Sequence, residues 1–237
     1  GQKLFKTPNI DRMAAGGMKF TQHYAGSTVC APTRCSLMNG VHTGHAYVRG
    51  NREVQPEGQA PIPADLITIP KLLKEVSYTT GMFGKWGLGA PGSTGDPVNQ
   101  GWDEFYGYNC QRQAHTFYPR HLWHNDKKVL LDGKTYSHDL IHEQSLKFIR
   151  DNAKRPFFAY LPITIPHAAM QCPEEDVAPF RKKFSQYEDK IGKYSHGTRV
   201  RNPVAAFAGM MTRMDRGVGE VLDLLNELKI TDNTLVL

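Results

Sequence analysis

The amino-acid sequence predicts an α/β fold: a mostly parallel sheet flanked by helices. Two observations carry that expectation. Segments with helical spacing alternate along the chain with short apolar, β-branched or aromatic runs that read as buried strands, a beat that suits parallel strands joined by crossover helices. The composition, 40% hydrophobic, 22% charged and 10% aromatic over 237 residues, is that of a packed protein long enough to bury a sizeable core.

Each element follows from local signals. Thr7-Pro8-Asn9 sets a cap-type residue and a proline ahead of an apolar-periodic stretch that Gly16-Gly17 closes, so a short helix is expected over residues 10–15. Residues 18–24 read as a strand. Residues 32–38 fit a helix with Gly40 just past its end, and residues 69–75 a second helix, followed by a strand over 78–83. The stretch 84–125 is rich in glycine, proline and aromatic residues without clear periodicity and reads as long loops, the usual home of a site on a rigid scaffold. Helical spacing resumes over 138–149. Residues 156–160 read as a buried strand whose end carries Pro162, Pro166 and His167. A polar excursion spans 171–202. Pro203 then opens the longest amphipathic segment, with Phe207, Met210, Met211, Met214, Val218, Val221, Leu222 and Leu225 at helical spacings, the methionines serving as core. Asp232-Asn233 turns the chain into residues 234–237, which read as the beginning of a strand.

Several function classes drop out. The 29 basic and 23 acidic residues give a net charge of +6 but are scattered, which describes a solvated surface that favours anionic substrates and no nucleic-acid groove. No apolar run approaches the roughly 18 residues of a membrane span, so no membrane partner is expected. The first residues lack the long apolar segment of a secretory signal, as a mature secreted chain also would. Neither an internal repeat nor a linker is evident. Four cysteines, Cys30, Cys35, Cys110 and Cys172, are too few for a disulfide framework in a chain this long. Cys35, Cys110 and Cys172 are expected to be free and buried, with a disulfide as the alternative in a periplasmic or secreted protein.

Cys30-Ala31-Pro32-Thr33-Arg34 is the most informative pentapeptide. Pro32 can open a helix, which leaves Cys30 at its positive end with Arg34 one turn on: an anion site with a sulfur in it. The residues alone leave three readings open, namely a small buried cysteine, a thiolate nucleophile, or half of a metal pair with Cys35. A thiolate phosphatase loop needs a longer cysteine-to-arginine spacing, and a zinc site would want a second cysteine pair that Cys110 and Cys172 do not supply.

The stretch Ser27-Thr28-Val29-Cys30-Ala31-Pro32-Thr33-Arg34-Cys35-Ser36-Leu37-Met38-Asn39-Gly40 resembles the signature of the sulfatase family, Cys-x-Pro-x-Arg followed by apolar residues and a glycine. Gly84-Lys85-Trp86-Gly87-Leu88-Gly89 is similar to that family's second motif, and Thr7-Pro8-Asn9-Ile10-Asp11-Arg12-Met13-Ala14 to the helix ahead of the first. Pro156-Phe157-Phe158 running to Pro166-His167, and Ala206 through Asp215 leading to Asp232-Asn233-Thr234-Leu235-Val236, follow in the family's order. The resemblance spans essentially the whole chain.

That resemblance implies an alkaline-phosphatase-like catalytic domain, a sulfuric ester hydrolase, in which Cys30 is oxidised to formylglycine by a formylglycine-generating enzyme. By similarity Arg34 braces the hydrated aldehyde, Lys85 bridges it to a sulfate oxygen, and His167 contacts the sulfate or protonates the leaving oxygen. The implied substrate is a sulfated small molecule or glycan, the implied location periplasmic or secreted. A phosphonate or phosphodiester hydrolase of the same superfamily is the first alternative, an inactive chain that only self-associates or binds anions the second.

Two departures stand out. Many family members carry a histidine two residues after the motif lysine, where this chain has Gly87; His115 lies in the region where the family sets substrate contacts and is the candidate to fill the gap. Tyr118, His121 and His124 are weaker candidates. The family also binds Ca2+ or Mg2+ through paired aspartates and an Asp-Asn pair. Those carboxylates are expected outside residues 1–237, which leaves Cys30, as formylglycine, the one metal contact within the chain. The 237 residues are accordingly read as the central part of a single catalytic domain, incomplete at both ends and without its C-terminal subdomain. Cys30, Arg34, Lys85 and His167 are expected to converge on one pocket at the strand ends.

Overall fold

Alternating strands and helices need a sheet to pack on, and a computed structural model, which describes residues 3–195 and 197–237, supplies one. In chain order the elements are α1 (Pro8–Ala15), α2 (Cys30–Asn39), α3 (Ile69–Glu75), β1 (Thr79–Lys85), β2 (Glu104–Tyr108), β3 (His121–His124), β4 (Lys127–Leu130), α4 (Ser137–Asn152), β5 (Phe157–Tyr160), α5 (Glu174–Lys183), β6 (Ile191–Lys193), β7 (Arg199–Arg201) and α6 (Pro203–Glu227). They fall into two units. One holds His23–Ala114 and Tyr118–Ile163, the other the chain up to Gln22, His115–Phe117 and Thr164–Leu237.

The first unit is built on a five-stranded mixed sheet of order β4-β3-β2-β1-β5. β1 runs parallel to both β2 and β5, while β3 and β4 form an antiparallel hairpin on the β2 side. Six of the seven β1 residues are buried, as expected for a strand covered on both faces. Alternation then sorts the side chains. Phe83, Tyr106 and Tyr108 pack with Ile141 and Phe148 of α4, whereas Met82, Trp86 and Phe105 pack with Ala31, Cys35 and Met38 of α2. The two helices therefore cover opposite faces of the sheet. Gly40, at φ 67°, closes α2 in the left-handed conformation that glycine adopts without a Cβ penalty.

The second unit centres on α6, the predicted amphipathic helix. Its Asn202 cap accepts from the Ala205 N–H at 3.0 Å. Asp215, buried on α6, accepts from the backbone N–H groups of Asn9 (3.1 Å) and Ile10 (2.9 Å) and so caps α1 from another element. Thr7 makes no side-chain cap there. α5 packs along α6 through Val177, Phe184, Ala205 and Ala208, and its Asp176 is paired with Arg213 and Arg216.

Several expectations need correction. Residues 18–24 form no strand: Met18 and Tyr24 are 78% and 80% exposed, so the apolar alternation that suggested pairing buries nothing. Residues 234–237 are likewise extended without a ladder. The segment 84–125, read as loop, contains β2 and β3, whose strand signal its glycines and aromatics obscured; 171–202 contains α5 and the β6–β7 hairpin. β5, read as buried, is half-buried at the end of the described sheet. On α6, Met210 is core, but Met214 is half-buried and Phe207 is exposed, lying edge-on to Phe5 at 5.9 Å. The cysteines are free, with Cys35 and Cys110 buried and Cys30 and Cys172 half-buried; burial pushes the Cys172 thiol up to about 12.

Candidate active site

Pro32 does not open α2. Cys30 itself is the first helical residue, because Val29 is extended (φ −109°, ψ 143°) and leaves the helix free to start directly after it. The turn ahead is locked by Thr33, whose Oγ1 accepts from the Ser27 N–H at 2.9 Å and donates back to the Ser27 carbonyl. Asn51 Oδ1 accepts from the Ala31 N–H at 3.0 Å, satisfying one of the helix's open donors. Cys30 thus sits at a fixed, partly accessible point on the positive end of a ten-residue helix.

Lys85 approaches it from the sheet. It is the last residue of β1, held by its own N–H on the Pro162 carbonyl at 3.1 Å, and its Nζ donates to Cys30 Sγ at 3.7 Å. Arg34, one turn along α2, donates through Nη1 to the Lys85 carbonyl and so ties the helix to the strand end. Only 3% of Lys85 is exposed. Burial holds its ammonium below the ordinary lysine range, the nearby Arg34 charge pushes the same way, and Cys30 partly offsets both. Arg34 is also held below its ordinary value by burial, with Tyr160 and Cys30 acting in the opposite direction. Its buried Nε has no hydrogen-bond partner. Two desolvated cations around one side chain make a place where an anion gains more than it would at the surface.

His115 and His167 belong to the other unit, where the structure brings them to each other. Their rings stack at 5.0 Å and 11°, and Tyr194 stands edge-on to both at 5.0 and 5.2 Å. His167 Nδ1 is buried and unpartnered. Of the weaker candidates, His121 is engaged by Glu57 at 2.9 Å, His124 lies 3.9 Å from Glu104, and Tyr118 packs on Tyr136. These contacts are structural.

Two residues just after β2 carry open polar atoms that the sequence does not signal. Asn109 and Gln111 follow β2, both are buried, and Asn109 Oδ1, Asn109 Nδ2 and Gln111 Oε1 have no partner. Two amides in a stretch that reads as loop carry no signal of that burial. A hard divalent cation does not fit the groups present. Among the described residues no three His, Cys, Asp or Glu side chains gather, and the neighbours of Cys30 are cations that do not supply the oxygen donors Ca2+ requires.

The sulfatase family pattern matches residues 1–237. N-acetylgalactosamine-6-sulfatase of Canis lupus familiaris is 29% identical over 259 residues, covering all of this chain and 45% of that protein. Steryl-sulfatase of Homo sapiens is 41% identical over 116 residues, covering 45% of this chain and 20% of that one. The solved structure of Ps i-CgsB in complex with k-i-k-neocarrahexaose superposes with a TM-score of 0.76 at 28% identity, over 94% of this chain and 50% of its own. The chain therefore spans about half the length of these full-length matches. A pattern that runs the whole length, together with a helix end and a strand end that bring Cys30, Arg34 and Lys85 to one point, makes this chain a member of the sulfatase family.

Proposed function

We propose that the longer protein containing this chain hydrolyses sulfate esters, with sulfated carbohydrate as its substrate class and Cys30, converted to formylglycine by a generating enzyme, as its reactive residue. The observation that carries this reading is the 3.7 Å contact of Lys85 Nζ with Cys30 Sγ at the start of α2. It puts a desolvated cation on the atom position where chemistry would occur. Hydrated formylglycine supplies the oxygen that displaces an alcohol from sulfur.

The chain's own residues account for the rest. Lys85 and the N-terminal end of α2 hold a sulfate oxygen and stabilise the charge that grows on it during transfer. Arg34, through the Lys85 carbonyl, fixes the geometry of both. His167, by family resemblance, contacts the sulfate or delivers a proton to the leaving oxygen, and His115 contacts substrate. A carbohydrate is supported by the relatives, one named for a sulfated N-acetylgalactosamine and one holding a neocarrahexaose.

The test pairs an aryl sulfate with an aryl phosphodiester on the longer protein, after the mass of the Cys30 peptide has shown thiol converted to aldehyde. Preferred turnover of the sulfate is expected. Preference for the phosphodiester would assign the protein to the phosphonate and phosphodiester hydrolases instead.

A further inference from the structure

Residues 51–60 form a tight hairpin that joins the two sides of the Cys30–Lys85 contact. Within it the Ala60 N–H donates to the Arg52 carbonyl at 2.8 Å and the Val54 N–H to the Gly58 carbonyl at 3.1 Å, with Glu53 bridged to Gln59. Its far end lies along the chain that leaves Lys85: the Gln59 N–H donates to the Gly89 carbonyl at 2.8 Å and the Ile62 N–H to the Leu88 carbonyl at 2.9 Å. The buried Gln59 also accepts through Oε1 from the Gln111 N–H at 2.9 Å. The tip is held by Glu57, which accepts from Trp123 Nε1 at 2.8 Å and meets His121 Nε2 at 2.9 Å. The near end is the exposed Asn51, whose Oδ1 takes the Ala31 N–H, the amide that follows Cys30. One anchored hairpin is thus bonded both to the start of α2 and to the segment beyond Lys85.

The residue type adds a second argument. A carboxylate at position 51 would accept the same hydrogen bond and gain further from the positive end of the helix, so stability alone favours aspartate. The amide satisfies the donor and leaves that end uncompensated, and α2 has no acidic residue in its first turn. We propose that Asn51 is a positioning residue of the Cys30–Lys85 site: it fixes Cys30 through the Ala31 amide, and its neutrality keeps the helix start positive for an anion. The inference rests on the sulfate-ester reading only for which anion that is.

Asn51→Ala removes the acceptor, whereas Asn51→Asp keeps it and adds a charge. In the longer, converted protein Asn51→Ala should lower kcat on an aryl sulfate at least about 10-fold while inhibition by inorganic sulfate changes less than about 3-fold. Asn51→Asp should show the opposite split: kcat within about 3-fold of wild type, inorganic sulfate weakened at least about 5-fold, and that weakening reduced by added salt. Its Tm should hold or rise. A cap that serves stability alone would lower Tm in Asn51→Ala without changing kcat of the folded enzyme, and would leave sulfate affinity intact in Asn51→Asp; either result overturns the proposal. Should Asn51→Ala fail to fold, the Asn51→Asp comparison decides. If the wild type turns over no sulfate ester, the sulfate-ester reading fails separately, and calorimetry with inorganic sulfate decides instead. Weaker binding to Asn51→Asp than to wild type supports the role, and equal binding, or none to the wild type, overturns it.

Discussion

Lys85 shows how burial and charge shape a single residue. Its lowered pKa means that the folded unit carries fewer protons than the unfolded chain between the Lys85 value and the ordinary lysine range, so stability rises with pH across that window and the full penalty applies below it. Anion binding needs the ammonium. Sulfate affinity should therefore fall with rising pH before ordinary lysines titrate, and Lys85→Met should bind sulfate weakly at every pH; calorimetry across the alkaline range reads both. An affinity that declines only where exposed lysines lose their protons would contradict the desolvated site. Cys30 and Arg34 were legible in the sequence because a helix start and its spacing are local. The contact between Cys30 and Lys85 was not, since 55 residues separate them and only the sheet closes that gap.

At the level of elements, local signals worked where the residues themselves decide the structure. The glycine after α2, the proline that opens α1 and the apolar spacing of α6 each marked an element that formed. They failed where a partner decides. Residues 18–24 have strand-like alternation but stay exposed and join no ladder, while β2, with the sequence Glu-Phe-Tyr-Gly-Tyr, became a strand because β1 and β3 flank it. Asp215 was readable only as a polar residue on an amphipathic helix, yet it caps α1 from 206 positions away. Asp215→Ala should destabilise the α1–α6 unit by about 1–3 kcal/mol, since it strands two N–H donors, as chemical denaturation would measure. Asp215→Asn should recover part of that loss. On α2, Met38→Ala should cost about 2–5 kcal/mol through the cavity it leaves.

Over the whole chain, a candidate site is assembled around cations, and several large apolar side chains are exposed. Met18, Phe20, Tyr24, Leu235 and Leu237 all lie open to solvent, and exposed apolar side chains favour self-association where they cluster. The isolated 237 residues should self-associate in light scattering, and in calorimetry they should bind sulfate in preference to Ca2+, because the groups at Cys30 repel cations. A monomer with tight, stoichiometric Ca2+ binding would contradict both. The role proposed for Cys30, as formylglycine, is sulfate ester hydrolysis in the longer protein. Its most direct measurement is multiple turnover of an aryl sulfate by Cys30→Ser beside the converted wild type: an ordinary hydroxyl cannot release the sulfate it accepts, so turnover should stop at or before one equivalent. Sustained turnover by the serine variant, with its side chain verified by mass as unmodified serine, would contradict the account.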